Sequence, residues 1–79
     1  MKIEFIQSGK RFELARQDFV NAAKGMKPEK IQKYSTIIDG VRFPIRQVVS
    51  AATGLPKIAL TSHDAYRILQ KFGIRVDEE

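Results

Sequence analysis

Apolar positions recur along the chain in two rhythms. From Lys2 to Ile6 they alternate with charged ones, Ile3 and Phe5 on one side and Lys2 and Glu4 on the other, which predicts a short strand. After Ser8-Gly9 the step lengthens to three and four. Phe12, Ala15, Phe19, Ala22, Ala23 and Met26 line up as one apolar stripe, predicting a helix that opens at Ser8-Gly9. Gly25 suits the left-handed residue that ends such a helix, with Met26 folding back on Val20. Pro28 begins a basic connector, Lys27–Lys33, with room for one helical turn.

The middle of the chain is punctuated more sharply. Tyr34–Ile38 and Val41–Phe43 flank Asp39-Gly40, a pair that supplies the positive φ angles of a two-residue hairpin turn. Pro44 fits the first turn of a helix, where a missing N–H is harmless. Ile45, Val48, Val49 and Ala52 form its buried stripe, Gly54 closes it, Leu55 packs back on it and Pro56 prevents continuation. In the third helix Thr61 is the expected N-cap, with Asp64 favouring the dipole and reaching back to the cap. Leu60 and Ala65 can staple its start; Ala65, Ile68, Leu69 and Phe72 form the stripe, and Gly73 stops it. Ile74 and Val76 predict a last short strand. The order β-α-β-β-α-α-β describes a single α+β domain over residues 1–79, with a small, largely antiparallel sheet and three helices.

Composition narrows the function. With 43% hydrophobic and 29% charged residues the chain is globular, and 79 residues bury only about 60% of their unfolded surface, too little for a two-substrate cleft. No cysteine is present, so disulfides, thiolate metal sites and a cysteine nucleophile are excluded. No apolar run approaches the ~18 residues of a membrane span, and Glu4 interrupts any signal-like segment, so a soluble cytoplasmic protein with no membrane partner is expected. Fourteen Lys and Arg face nine Asp and Glu, and three of those acids (Asp77, Glu78, Glu79) form a tip read as a solvated end. Lys24, Lys27, Lys30, Lys33, Arg42, Arg46 and Lys57 fall in a stretch holding only Glu29 and Asp39. Such an excess favours a polyanion or an acidic protein face, or simply keeps the protein in solution.

Tyr34 to Val76 contains Tyr-x-x-x-x-Asp-Gly-x-x-Phe-Pro, a helix ending Ala-x-x-Gly-Leu-Pro, and Thr-Ser-x-x-Ala-x-x-Ile-Leu-x-x-Phe-Gly-Ile. This segment resembles the small N-terminal head domain of type IV HNH restriction endonucleases, and similar small stand-alone bacterial proteins. The matching positions are turns, helix stops and core stripes. No HNH motif is present, so the resemblance implies an accessory module in a DNA-handling or genome-defence setting and no nuclease activity.

Three groups of residues are candidates for contact with nucleic acid. His63, Tyr66, Arg67 and Gln70 recur at helical spacing opposite the apolar stripe of the third helix, flanked by Lys71. Arg and Gln can grip purine edges bidentately while Tyr and His touch sugar or phosphate; an ordinary solvated face has the same spacing. Lys10 and Arg11, following Ser8-Gly9 at an expected helix start, form a candidate phosphate seat without the remaining residues of a nucleotide-binding loop. Arg42 and Arg46, with Lys30 and Lys33 ahead of Tyr34, could line one basic surface. The six residues Leu55–Leu60 are too long for the turn of a helix-turn-helix. Ser62-His63-Asp64 has the residue types of a catalytic triad, but consecutive helical residues point ~100° apart and cannot form the relay. No cofactor, metal or enzymatic activity is expected. The expected function is a non-catalytic nucleic-acid-binding module, DNA before RNA and double-stranded before single. The alternative is a protein-interaction module: a small subunit, inhibitor or homodimer docking an acidic partner.

Overall fold

The computed structural model describes residues 2–78. It is an α+β fold of two small antiparallel sheets and three helices around one core.

The first sheet corrects the opening of the chain. Lys2–Gln7 (β1) pairs antiparallel with Lys10–Ala15 (β2), so Ser8-Gly9 opens a second strand and not a helix. Both turn residues have positive φ, 54° at Ser8 and 74° at Gly9, the combination a tight two-residue hairpin needs. The three-residue step from Phe12 to Ala15 is compatible with a helix, but Phe12 and Leu14 also alternate. That second pattern prevails because β1 offers a matching partner face: Ile3 lies opposite Leu14, and Phe5 stacks on Phe12 with centroids 5.3 Å apart. The helix begins only at Arg16 and runs to Ala23 (α1). The Asp18 carboxylate accepts the Ala15 N–H at 2.6 Å, satisfying one donor at its start. Gly25 takes the expected left-handed conformation, and the connector that follows contains no helical turn.

The second hairpin follows expectation. Tyr34–Ile38 (β3) and Val41–Pro44 (β4) flank Asp39 and Gly40, whose φ values are 51° and 78°. Pro44 is the last residue of β4 and the N-cap of Ile45–Thr53 (α2), one position earlier than the first helical turn. After a 3-10 turn at Lys57–Ala59, Ser62–Lys71 forms α3. The last strand is Asp77–Glu78 (β5), not Ile74–Val76, and it pairs antiparallel with Tyr34 and Ser35 to give the order β4-β3-β5. The shift has a cause. The Gly73 and Ile74 N–H groups fold back to the Gln70 and Leu69 carbonyls, an α3 stop that buries Ile74 in the core. The Thr36 hydroxyl then holds the Arg75 carbonyl at 2.7 Å, and strand pairing starts only beyond it.

Phe19, Val48, Val49, Ala65 and Leu69 have no exposed surface, and they bring α1, α2 and α3 into one core. Phe72 links α1 to the first hairpin, its ring 4.7 Å from Phe19 and 5.8 Å from Phe5.

The start of α3 is closed by a reciprocal cap. The Thr61 hydroxyl accepts the Asp64 N–H at 3.0 Å, and the Asp64 carboxylate accepts the Thr61 N–H at 3.2 Å. The Thr61 backbone bond holds the Asp64 carboxyl below the ordinary carboxylate range; burial opposes the shift, and the Thr61 hydroxyl, the Gln7 amide and Arg67 add to it. A depressed folded-state value means that Asp64 stabilises the fold above the ordinary carboxylate range, and that this contribution fades as pH falls through the folded value. Asp64→Asn is therefore expected to be less stable than the parent at pH 7, with the gap closing in acid. Urea titrations at pH 7, 4 and 2.5 read the convergence; a gap independent of pH contradicts it.

Candidate nucleic-acid interface

The candidate cations do not form one surface as a set. Lys10 and Arg11 belong to β2, so no helix start lies at Ser8-Gly9 and the phosphate seat expected there does not exist. The Ser8 hydroxyl instead donates to the Ala59 carbonyl at 3.2 Å, and the Arg11 Nε donates to the Glu4 carboxylate at 2.7 Å. Arg42 also departs from the expected cluster. Its guanidinium donates to the Ser35 hydroxyl at 2.8 Å and lies 3.7 Å from the Asp77 carboxylate, tying β4, β3 and β5 together across the sheet. Asp77 also pairs with Arg75 at 3.0 Å, so Asp77 is tied into a short strand while Glu78 beside it stays exposed; Glu79 lies outside the described residues.

The remaining candidates converge. Lys30, Lys33 and Arg46 line one concavity of about 240 Å³, together with Lys57, Tyr34, Gln47 and Ser62. Lys33, His63, Tyr66, Arg67 and Gln70 line a second, which also contains Tyr34 and Ser62. Lys33, Tyr34 and Ser62 border both, so the two depressions form one continuous surface from the connector onto α3. Among the described residues, the carboxylates that share this lining with Lys30, Lys33, Arg46, Lys57 and Arg67 are Glu29 and Glu78. Lys71 is exposed at the end of α3 and lines neither.

Several side chains are held in place. Lys33 lies 5.3 Å from the centroid of the Tyr34 ring and 3.7 Å from the Glu78 carboxylate. Tyr34 and Tyr66 meet edge to face at 5.4 Å, and both rings pack against the core, so Tyr66 is a wall of the surface as much as a contact on it. Arg67 lies 3.5 Å from Asp64, one turn earlier on α3. Lys57 pairs with Glu29, and Arg46 donates a terminal N–H to the Lys57 carbonyl at 2.7 Å. These ion pairs are largely exposed. Each is worth only about 0–1 kcal/mol, little enough for a polyanion to displace.

Two residues of this surface escape a reading by pattern. Lys57 enters such a reading only as a unit of charge. Gln47 falls off the apolar stripe of α2 yet is buried, because its amide donates to the Lys27 carbonyl at 2.8 Å and accepts the Glu29 N–H at 2.9 Å. This clasp fixes the connector that carries Lys30 and Lys33. Arg46, Ser50 and Thr53 are polar residues of the same helix, so nothing in the sequence singles Gln47 out.

No helix among the described residues is long and apolar enough to cross a membrane. No curated protein and no solved structure matches the chain. The model of one family, the SCO5918-like family, matches residues 6–79, nearly the whole length, and the chain belongs to that family.

Proposed function

We propose that this protein is a non-catalytic module that binds nucleic acid, double-stranded DNA foremost, across the surface running from Lys30 and Arg46 to Arg67 and Gln70. The observation that carries this reading is the shared border of the two depressions at Lys33, Tyr34 and Ser62, which joins the connector cations to the polar stripe of α3. Lys30, Lys33 and Lys57 supply phosphate contacts; His63, Arg67 and Gln70 are exposed on α3 and free to approach a groove. A cytoplasmic location and an accessory role in genome defence belong to the same proposal, the latter through the resemblance of Tyr34–Val76 to restriction-endonuclease head domains.

Few phosphates are neutralised by so small a surface, so binding is weak and falls only moderately with salt. In a fluorescence-anisotropy titration, duplex DNA is expected to bind at 50 mM salt and to lose at least tenfold in affinity by 200 mM. Arg67→Ala weakens binding about three- to tenfold without altering the far-UV circular dichroism. Absence of duplex binding at low salt, or affinity indifferent to both salt and Arg67→Ala, overturns the reading. A second reading, docking to a partner protein, draws on Ile58 and Ile6, which are 92% and 71% exposed near the same end of the molecule as the Ser8–Ala59 contact, with the basic surface favouring an acidic partner. Co-purification with a protein and not with nucleic acid favours it.

A further inference from the structure

We infer that the concavity framed by Lys30, Lys33, Arg46 and Lys57 is a seat for a dianionic phosphate group. Four cations reach it from three separate parts of the chain: the connector, the first turn of α2 and the 3-10 turn. One carboxylate, Glu29, lies among them, and it is engaged with Lys57. Among the described residues neither Lys30 nor Arg46 has a carboxylate within 4 Å. The positive excess therefore exceeds one charge, which suits a dianion better than a monoanionic carboxylate or chloride.

Arg46 makes the seat specific. Its Nε is the one buried side-chain nitrogen or oxygen among the described residues with no hydrogen-bond partner, while a terminal N–H is held by the Lys57 carbonyl. A buried donor without an acceptor costs about 1–3 kcal/mol, and such groups call for an explanation in function or in a missing partner. The Nε–H and a terminal N–H form one of the two forks by which guanidinium grips phosphate oxygens. A small rotation of Arg46 toward the concavity supplies that fork and relieves the orphaned donor. The Ser62 hydroxyl, also in the lining and exposed, adds a neutral donor. Gln47 shapes the rim, since its clasp on Lys27 and Glu29 sets where Lys30 and Lys33 stand.

The phosphate can be free or be the terminal monoester of a nucleic-acid strand, an internal phosphodiester carrying only one charge; only the second source rests on the function proposed above. Inorganic phosphate, titrated into the ¹⁵N-labelled protein against sodium chloride of equal ionic strength, separates the seat from general screening. Saturable shifts confined to the amides around Lys30, Lys33, Arg46, Lys57 and Ser62 are expected with phosphate and absent with chloride. Lys30→Ala, which removes no described hydrogen bond or ion pair, should raise the phosphate Kd at least threefold, and Arg46→Met at least tenfold. Equal responses to phosphate and chloride, shifts scattered over the molecule, or an unchanged Kd in a folded Lys30→Ala protein overturn the seat. Oligonucleotides with and without a terminal phosphate then report the source. A terminal phosphate that strengthens binding, with the gain lost in Lys30→Ala, places the strand's phosphate here. Phosphate that saturates the seat while no oligonucleotide binds leaves the seat standing and removes the nucleic-acid reading.

Discussion

Phe19→Ala is expected to remove a large share of the protein's stability at 25 °C. Phe19 is fully buried, and its ring lies 4.7 Å from Phe72, which in turn meets Phe5 of the first hairpin. Removing it leaves a cavity where α1, α3 and β1 meet, and such truncations cost about 3–5 kcal/mol. At ~0.05–0.15 kcal/mol per residue, a chain of this length is stable by only about 4–12 kcal/mol in total. The urea midpoint should fall by about 3–5 M for a slope near 1 kcal/mol/M. Phe12→Ala, at a partly buried position on the same aromatic stack, serves as the comparison and should cost clearly less. A Phe19→Ala protein with a midpoint within 1 M of the parent's would contradict the packing described for the core.

The second large effect is local. Gln47→Leu keeps the side-chain volume nearly unchanged but removes both hydrogen bonds that hold the connector. The Lys27 carbonyl and the Glu29 N–H then either stay buried and unpaired, at about 1–3 kcal/mol each, or come away into water. The second course is cheaper, because the connector carries no regular structure and its residues are mostly exposed. Amide exchange at Glu29 is therefore expected to accelerate at least tenfold, and native-state trypsin cleavage after Lys30 and Lys33 to accelerate with it. Core amides in α2 and α3 should keep most of their protection. Because Lys30 and Lys33 lose their fixed positions, phosphate and duplex binding should weaken in the same variant. Unchanged exchange at Glu29 would show that something other than Gln47 holds the connector.

Elements with local causes can be read directly from the letters. Asp39-Gly40 makes its turn from the φ angles of two residues, and Thr61 with Asp64 caps α3 within a single turn. The stripe His63, Tyr66, Arg67 and Gln70 emerges as one face for the same reason, helical spacing being a local property. Phe12 to Ala15 satisfies two periods at once, and nothing nearby chooses between them. The choice is made by β1, whose Phe5 and Ile3 lie opposite Phe12 and Leu14. The place of β5 is likewise settled by Tyr34 and Ser35, some forty residues earlier in the chain, and that of Arg42 by Ser35 and Asp77.

Charge follows the same division. The excess of Lys and Arg, the lack of cysteine and the stripe on α3 are properties of the chain alone, and they already point toward an anionic partner. Nothing in them tells Lys30, Lys33, Arg46 and Lys57, which share a concavity, from Arg11 and Arg42, which are spent on Glu4 and on the sheet. Glu29 and Lys57 meet across 28 positions, and Gln47 reaches 20 positions back to Lys27. Such distances close only when α1, α2 and α3 pack on a common core, for burying apolar surface offsets the entropy of closing the loops between them. A lone cation carries no sequence signature of the partner it will meet, so its role is assigned by the packing that brings it there.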